Sequence, residues 1–389
     1  MKMIPYSRQD VSQEDIDAVI EVLKSDYLTQ GPMVSEFETA VSNYCGAKFS
    51  VAANSATSAL HIACLALGVG KGDIVWTSPI TFVASANCAL HCGASIDFVD
   101  IDSKTYNMSI NCLVEKLEQA QKIGRLPKVI IPVHLSGQSC EMNSIYELSQ
   151  KYGFKIIEDA SHAIGARYKN EPVGNCHYSD ITIFSFHPVK IITTGEGGMA
   201  TTNNANLAKS MKRFRSHGIT SEAEDMLQRN ENEIWNYQQI ELGFNYRMTD
   251  IHAALGLQQM KRLDEFIRSR QSIAKHYDDL FVDLPILSPW QHPDSQSSFH
   301  LYLIRLKLQE LNKTQKQIYQ ELINLNIQAN LHYIPVYRQP YFEKMGFASS
   351  YCPEAENYYS DVLSIPMYPG LLKTQQEYIV NSLKSVINI

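Results

Sequence analysis

Between residues 49 and 202 the sequence repeats one pattern. A short apolar run is followed by a helix-length stretch, and the stretch often stops at a glycine. The apolar runs are Phe49–Ala53, Ile74–Ser78, Ser95–Asp100, Val129–His134, Lys155–Asp159, Ile181–Phe186 and Gly198–Thr202. Helical spacing marks Ala59–Leu67, Phe82–Cys92 and Met142–Tyr152, each followed by glycine. Most of the runs are continuously apolar rather than alternating. That predicts a mainly parallel α/β sheet covered by helices on both faces. Such sheets bind ligands outside the carboxyl ends of their strands, so the chemistry is to be sought there.

The flanks read differently. Ile4–Gln9 is extended, and Ser12 with Asp15 forms a capping box for a helix whose apolar face is Ile16, Val19, Ile20 and Leu23. Leu28–Pro32 breaks that helix, and a second one carries Val34, Phe37, Val41 and Tyr44 before Gly46. Ser221–Gln239 is a polar surface insertion. Thr249 caps one long helix running through Ile251, Leu263 and Ile273, and Phe299–Leu308 alternates like an antiparallel strand with one exposed face. Helices at Thr314–Leu325 and Thr374–Val386 follow. The expectation is a large domain over 1–249 and a smaller α+β domain over 250–389. A chain of 389 residues has room for both. A net charge of −7 argues against a nucleic-acid partner. No run is apolar and long enough to span a membrane, and residues 1–7 lack a signal-peptide core. The eight cysteines show no Cys-x-x-Cys pair, so they read as reduced thiols of a cytoplasmic protein with no metal site.

Four strand ends carry candidate chemistry. Lys190 is the one charge in the run Phe184–Gly195. A lysine at the end of a buried strand loses solvation, which lowers its pKa and frees an amine nucleophile of the kind that links pyridoxal phosphate. On this stretch alone an ordinary loop lysine, with a packed stem and its amine in water, is the better reading. The turn Asn54–Ser58 places small residues at a helix start, where amides and hydroxyls can face an anion or simply cap the helix. Glu158 and Asp159 end an apolar strand. An aspartate there can hold a protonated pyridine nitrogen. Phe82, at the next strand end, can stack on an aromatic cofactor or fill the core.

The run Ser185–Lys190, with Thr194–Gly198 behind it, resembles the cofactor-lysine motif of the DegT/DnrJ/EryC1/StrS sugar aminotransferases. The likeness extends over nearly the whole chain. It implies an aspartate-aminotransferase-like fold (type I of the pyridoxal-phosphate enzymes), with Lys190 carrying the cofactor. It also implies that Thr57, Ser58 and Ser185 meet the phosphate, Phe82 the ring face and Asp159 the ring nitrogen. His162 falls beside the ring oxygen, where many relatives have glutamine. The segment Gly243–Asp250 resembles one that crosses a homodimer interface, which would bring Asn245 to the partner's cofactor phosphate. Arg247 would then face an acidic donor or a nucleotide phosphate. Tyr6, the loop Leu28, Thr29, Gln30, Gly31, and the stretch His332, Tyr333, Ile334, Pro335 form a candidate substrate shell. The segments at 4–9 and 28–32 resemble one family branch, the UDP-sugar 4-aminotransferases of pseudaminic acid biosynthesis. The expected reaction passes an amino group from L-glutamate through pyridoxamine phosphate to a UDP-linked 4-keto-6-deoxy-N-acetylhexosamine. Another UDP- or dTDP-linked 4-keto sugar, and a non-catalytic cofactor-binding relative, stay open as alternatives. The family's dehydratases carry histidine at the position of Lys190.

Overall fold

The computed structural model describes residues 3–228 and 235–387. Its centre is a seven-stranded sheet in the spatial order Phe49–Ala53, Gly198–Thr202, Ile181–Ser185, Lys155–Asp159, Val129–Ile131, Ile74–Thr77, Ser95–Phe98. Gly198–Thr202 runs antiparallel to both of its neighbours, and the other pairings are parallel. The apolar strands divide residue by residue between the two faces. Val51, Ile157 and Ile183 join a cluster under the helices Ala56–Ala66 and Ala84–His91. Ala52, Phe184 and Met199 join a second cluster, while Trp76, Ile130 and Ile156 join a third beneath Ile110–Lys122 and Met142–Tyr152. Burial on both faces is why these strands lack alternation. Helices at Ile110–Lys122 and Ala205–Arg215 add to those expected.

A three-stranded antiparallel sheet, Ile286–Leu287, Tyr302–Leu306 and Val362–Ile365, anchors the C-terminal part. Ile4 belongs to its core, paired in parallel with Ile327. The strand Tyr302–Leu306 is central rather than half exposed. Tyr302 and Ile304 face this core, and Leu303 faces the cluster of the large sheet. Its alternation therefore sorts side chains between two cores, not between core and water.

Two other expectations change. The capping box of Ser12 and Asp15 forms, but the first helix, Gln13–Lys24, buries Asp15 and Val22. Ile16, Ile20 and Leu23 stay 44%, 38% and 56% exposed. Asp15 is held inside by Gln259 Nε2 at 2.6 Å and by its own cap, which turns the more apolar stripe outward. The long helix after Thr249 is two helices, Asp250–Met260 and Leu263–Phe281. The break falls at Arg262, whose guanidinium bonds Asp10 at 2.6 Å and lies over the Phe266 ring. The insertion Ser221–Gln239 is bracketed by a short antiparallel pair, Ile219–Thr220 with Gln238–Gln239, and its residues 229–234 lie outside the described residues.

Gly198 joins the fold to the site. A side chain there would meet the backbone of Ser55 and Ala56 at 2.5 Å, so the antiparallel strand lies directly against the turn that opens the helix Ala56–Ala66. Backbone cannot yield as a side-chain tip can. Gly198→Ala should therefore destabilise the protein by about 1–3 kcal/mol. Urea unfolding should show a lower midpoint with an unchanged slope.

Candidate active site

The carboxyl ends of the parallel strands open onto a cavity of about 870 Å³. Its lining includes Lys190, Asp159, His162, Ser185, Thr57, Ser58, Phe82, Tyr6, His332 and Tyr333, so residues far apart in the chain converge there. Lys190 reaches it from the loop after the strand Ile181–Ser185. That loop is closed by bonds from Thr193 Oγ1 and Thr194 N to the Phe186 carbonyl, at 3.0 Å each. Ser7 Oγ donates to the Val189 carbonyl at 2.9 Å, tying the N-terminal segment to the same loop. Lys190 is half-buried. Loss of solvation pulls its pKa down to about 8, against the opposing pull of Asp159. That leaves roughly a tenth of the amine free at pH 7, far more than an ordinary lysine would have.

The phosphate-type turn is ordered by its own hydroxyls. Ser55 caps the helix, accepting from Ser58 N at 3.1 Å, and Ser58 Oγ donates to Asn54 Oδ1 at 2.6 Å. Ser58 spends its proton on holding Asn54, which leaves the Ala56 and Thr57 amides and the Thr57 hydroxyl as the turn's remaining donors. Glu158 and Asp159 part company because strand side chains alternate. Glu158 is buried away from the cavity and satisfied by His134, Ser179 and Thr182, so its role is structural. Asp159 is the member that lines the cavity.

His162 is fixed in one tautomer. The Ser136 backbone N–H donates to its Nδ1 at 3.3 Å, so Nδ1 carries no proton. Burial, Lys190 and His332 hold the ring well below the usual histidine range, so it is neutral and its proton sits on Nε2. Nε2 lies 3.1 Å from the Tyr333 hydroxyl. Histidine can replace a glutamine amide as donor only in this form. His332 is pushed down to about 3 by burial and Lys190, and His300 is lowered for the same reasons together with its proximity to His162. Three neutral imidazoles thus surround the lysine, with the His162 and His300 ring centroids 4.4 Å apart.

Phe82 precedes its helix instead of starting it and is 59% exposed beside the cavity, its ring centroid 6.4 Å from that of Tyr333. An exposed aromatic face, a buried carboxylate, a helix N-terminus and an amine of lowered pKa form a donor set that fits pyridoxal phosphate.

The remaining candidates lie outside this cavity. Leu28, Thr29, Gln30 and Gly31 form a surface loop tied to the 249–250 turn. Thr29 pairs with Thr249, and Gly31 N donates to Asp250 Oδ2 at 2.8 Å. Asn245 is exposed, its backbone carbonyl beside Asn54, and Arg247 is half-buried nearby. Ile334 is 42% exposed, and Pro335 leads into a turn that docks on the Pro79 carbonyl. Conversely, Thr81, Ser161, His187, Glu196, His252 and His300 line the cavity without having been singled out. His300 could not be recognised locally, since it stands just before the strand Tyr302–Leu306 of the C-terminal three-stranded sheet. Thr81 borders a strand-end turn already under suspicion, and a hydroxyl there was a usable signal.

Among the described residues, no helix is long and apolar enough to cross a membrane, and no group of three or more His, Cys, Asp or Glu side chains could hold a metal ion. The chain is 38% identical over 386 residues to the UDP-4-amino-4,6-dideoxy-N-acetyl-beta-L-altrosamine transaminase of Campylobacter jejuni, covering 99% of this chain and 98% of that one. The structure of PseC from Helicobacter pylori, an aminotransferase involved in the biosynthesis of pseudoaminic acid, matches with a TM-score of 0.90 and 33% identity over 100% of both chains. A sugar aminotransferase from Streptococcus pneumoniae, solved in a PLP-form, matches with a TM-score of 0.88 and 29% identity over 99% of both chains. The model of the DegT/DnrJ/EryC1/StrS aminotransferase family matches residues 9–384, and the chain belongs to that family.

Proposed function

We propose that this protein is a pyridoxal-phosphate-dependent nucleotide-sugar 4-aminotransferase of pseudaminic acid biosynthesis. It takes an amino group from L-glutamate and delivers it to C4 of a UDP-linked 4-keto-6-deoxy-N-acetylhexosamine. The observation that carries this reading is the convergence of Lys190, Asp159 and the Ser55–Ser58 turn on one cavity. The relatives' names supply the sugar. The cytoplasm is the expected location, in keeping with eight cysteines that are all free.

Bound there, pyridoxal phosphate supplies the electron sink that lets an amino group leave one carbon and join another. The protein's groups do the rest. Lys190 anchors the cofactor and, once released, carries protons between reacting carbons. Asp159 holds the ring nitrogen in its charged form. His162 donates from Nε2 toward the ring oxygen, while Phe82 covers a ring face. Thr57, Ser185 and the free Ala56 and Thr57 amides hold the phosphate, while Ser58 orders their turn through Asn54. Tyr6, His332 and Tyr333 form the substrate wall on this chain.

The second wall belongs to a partner copy in this reading. Thr29 of the loop Leu28–Gly31 pairs with Thr249, two residues after Arg247, and Ile16, Ile20, Leu23, Tyr27 and Leu28 are exposed along the first helix and the turn behind it. An apolar stripe of this kind suits an isologous interface in which each chain completes the other's site.

Cofactor-free protein should take up pyridoxal phosphate at a rate that rises with pH about a midpoint near 8, because only the neutral Lys190 amine attacks. Lys190→Ala should lose the visible band that glutamate bleaches. Borohydride labelling of another lysine would displace Lys190 from this role. Asp159→Asn should fold normally yet lose turnover by orders of magnitude when a panel of UDP- and dTDP-linked 4-keto sugars is assayed with glutamate. Selective turnover of a dTDP sugar would overturn the proposed substrate and leave the reaction class standing. Refolding a mixture of Lys190→Ala chains with inactive, dimeric chains altered at Asn245 and Arg247 should restore up to about a quarter of wild-type activity. Proven heterodimers without recovery would place both residues in their own chain's site.

A further inference from the structure

The Asp159 carboxylate stands at the end of a chain of hydroxyls. Its Oδ2 lies 2.6 Å from Ser85 Oγ, and Ser85 Oγ lies 2.7 Å from Thr81 Oγ1. All three side chains are buried, with Thr81 3%, Ser85 1% and Asp159 5% exposed. On its other oxygen, Oδ1, the aspartate accepts from the Ser161 backbone N–H at 3.1 Å.

The direction of the chain follows from counting protons. An ionised carboxylate only accepts, so Ser85 gives it the single hydroxyl proton. The contact between Thr81 and Ser85 must then be a donation from Thr81. The Phe82 carbonyl, 3.3 Å from Ser85 Oγ, is the weaker competitor for the serine proton. Each link strengthens the next, because a hydroxyl that accepts a bond becomes a better donor. Two of the carboxylate's roughly four lone-pair sites are thereby fixed. The remainder is open to the cavity that Asp159 lines.

The placement couples two walls of the site. Thr81 and Ser85 flank Phe82 on the turn into the helix Ala84–His91. The turn that presents the aromatic face therefore also grips the carboxylate at the end of Lys155–Asp159. We propose that Thr81 and Ser85 are positioning residues, which act through Asp159 by aiming its carboxylate at the ring nitrogen of the bound cofactor. This inference rests on the cofactor reading above.

The test is a thermodynamic cycle read by binding rather than turnover. Pyridoxamine phosphate, whose binding needs no link to Lys190, is titrated calorimetrically into cofactor-free protein. Ser85→Ala should weaken binding about tenfold, the usual scale of one hydrogen bond to a charged group. Thr81→Val should weaken it a few-fold, whereas Thr81→Ser, which keeps the hydroxyl, should bind like wild type. In an Asp159→Ala background, Ser85→Ala should cost no further affinity beyond about twofold. Urea midpoints identify any variant that has lost its fold, and Thr81→Val against Thr81→Ser keeps the comparison open if Ser85→Ala is such a variant. If Ser85→Ala costs the same factor with and without Asp159, or if Thr81→Val binds like wild type, the proposal fails while the cofactor reading stands. If wild type does not bind pyridoxamine phosphate, the cofactor reading fails and takes the proposal with it.

Discussion

A carboxylate inside a protein must be surrounded by donors or give up its charge. Asp159 sits at the end of an apolar strand between helices and is buried to 5% exposure. Ser85 and Ser161 supply the donors that make this tolerable. The parallel sheet makes the arrangement possible. Its strands present their carboxyl ends side by side, so the loops behind Ala53, Thr77, Asp159 and Ser185 meet around one cavity. Lys190 is held in the same enclosure. The burial that lowers its pKa also keeps His162, His300 and His332 neutral. The charged side chains of the lining are then Asp159, Lys190 and the exposed Glu196.

Much of this was legible in the residues. Continuous apolar runs with helices between them announced the sheet, because strands buried on both faces have no polar side to display. Lys190 and Asp159 stood out since each is a charge at the end of such a run. The tautomer of His162 was not legible. It depends on the Ser136 amide, which reaches the ring only through a turn in another part of the chain. His300 was hidden for the same reason.

The misreadings have a common physical source. Apolar periodicity reports which side chains leave water, not what they meet when they do. On the first helix Ile16, Ile20 and Leu23 mark a true apolar stripe, yet Asp15 and Val22 are the residues that face the chain's own core. In Tyr302–Leu306 the alternation divides two cores and resembles an exposed strand. After Thr249 the helical period continues through the break at Arg262, because both helices pack apolar faces at similar spacing.

The attachment of the N-terminal segment also bears on the order in which the molecule can be built. Ile4 pairs beside Ile327, and the Tyr6 carbonyl accepts from Met367 N, while Ser7 reaches back to the lysine loop. The earliest described residues are thus seated by some of the latest. During synthesis the large sheet can gather its strands as they emerge. Tyr6 must wait, because the partners that seat it lie near the end of the chain. Contacts of such sequence separation form slowly. A ribosome-bound chain that stops short of Met367 would hold both Lys190 and Asp159 and still lack the wall that Tyr6 supplies.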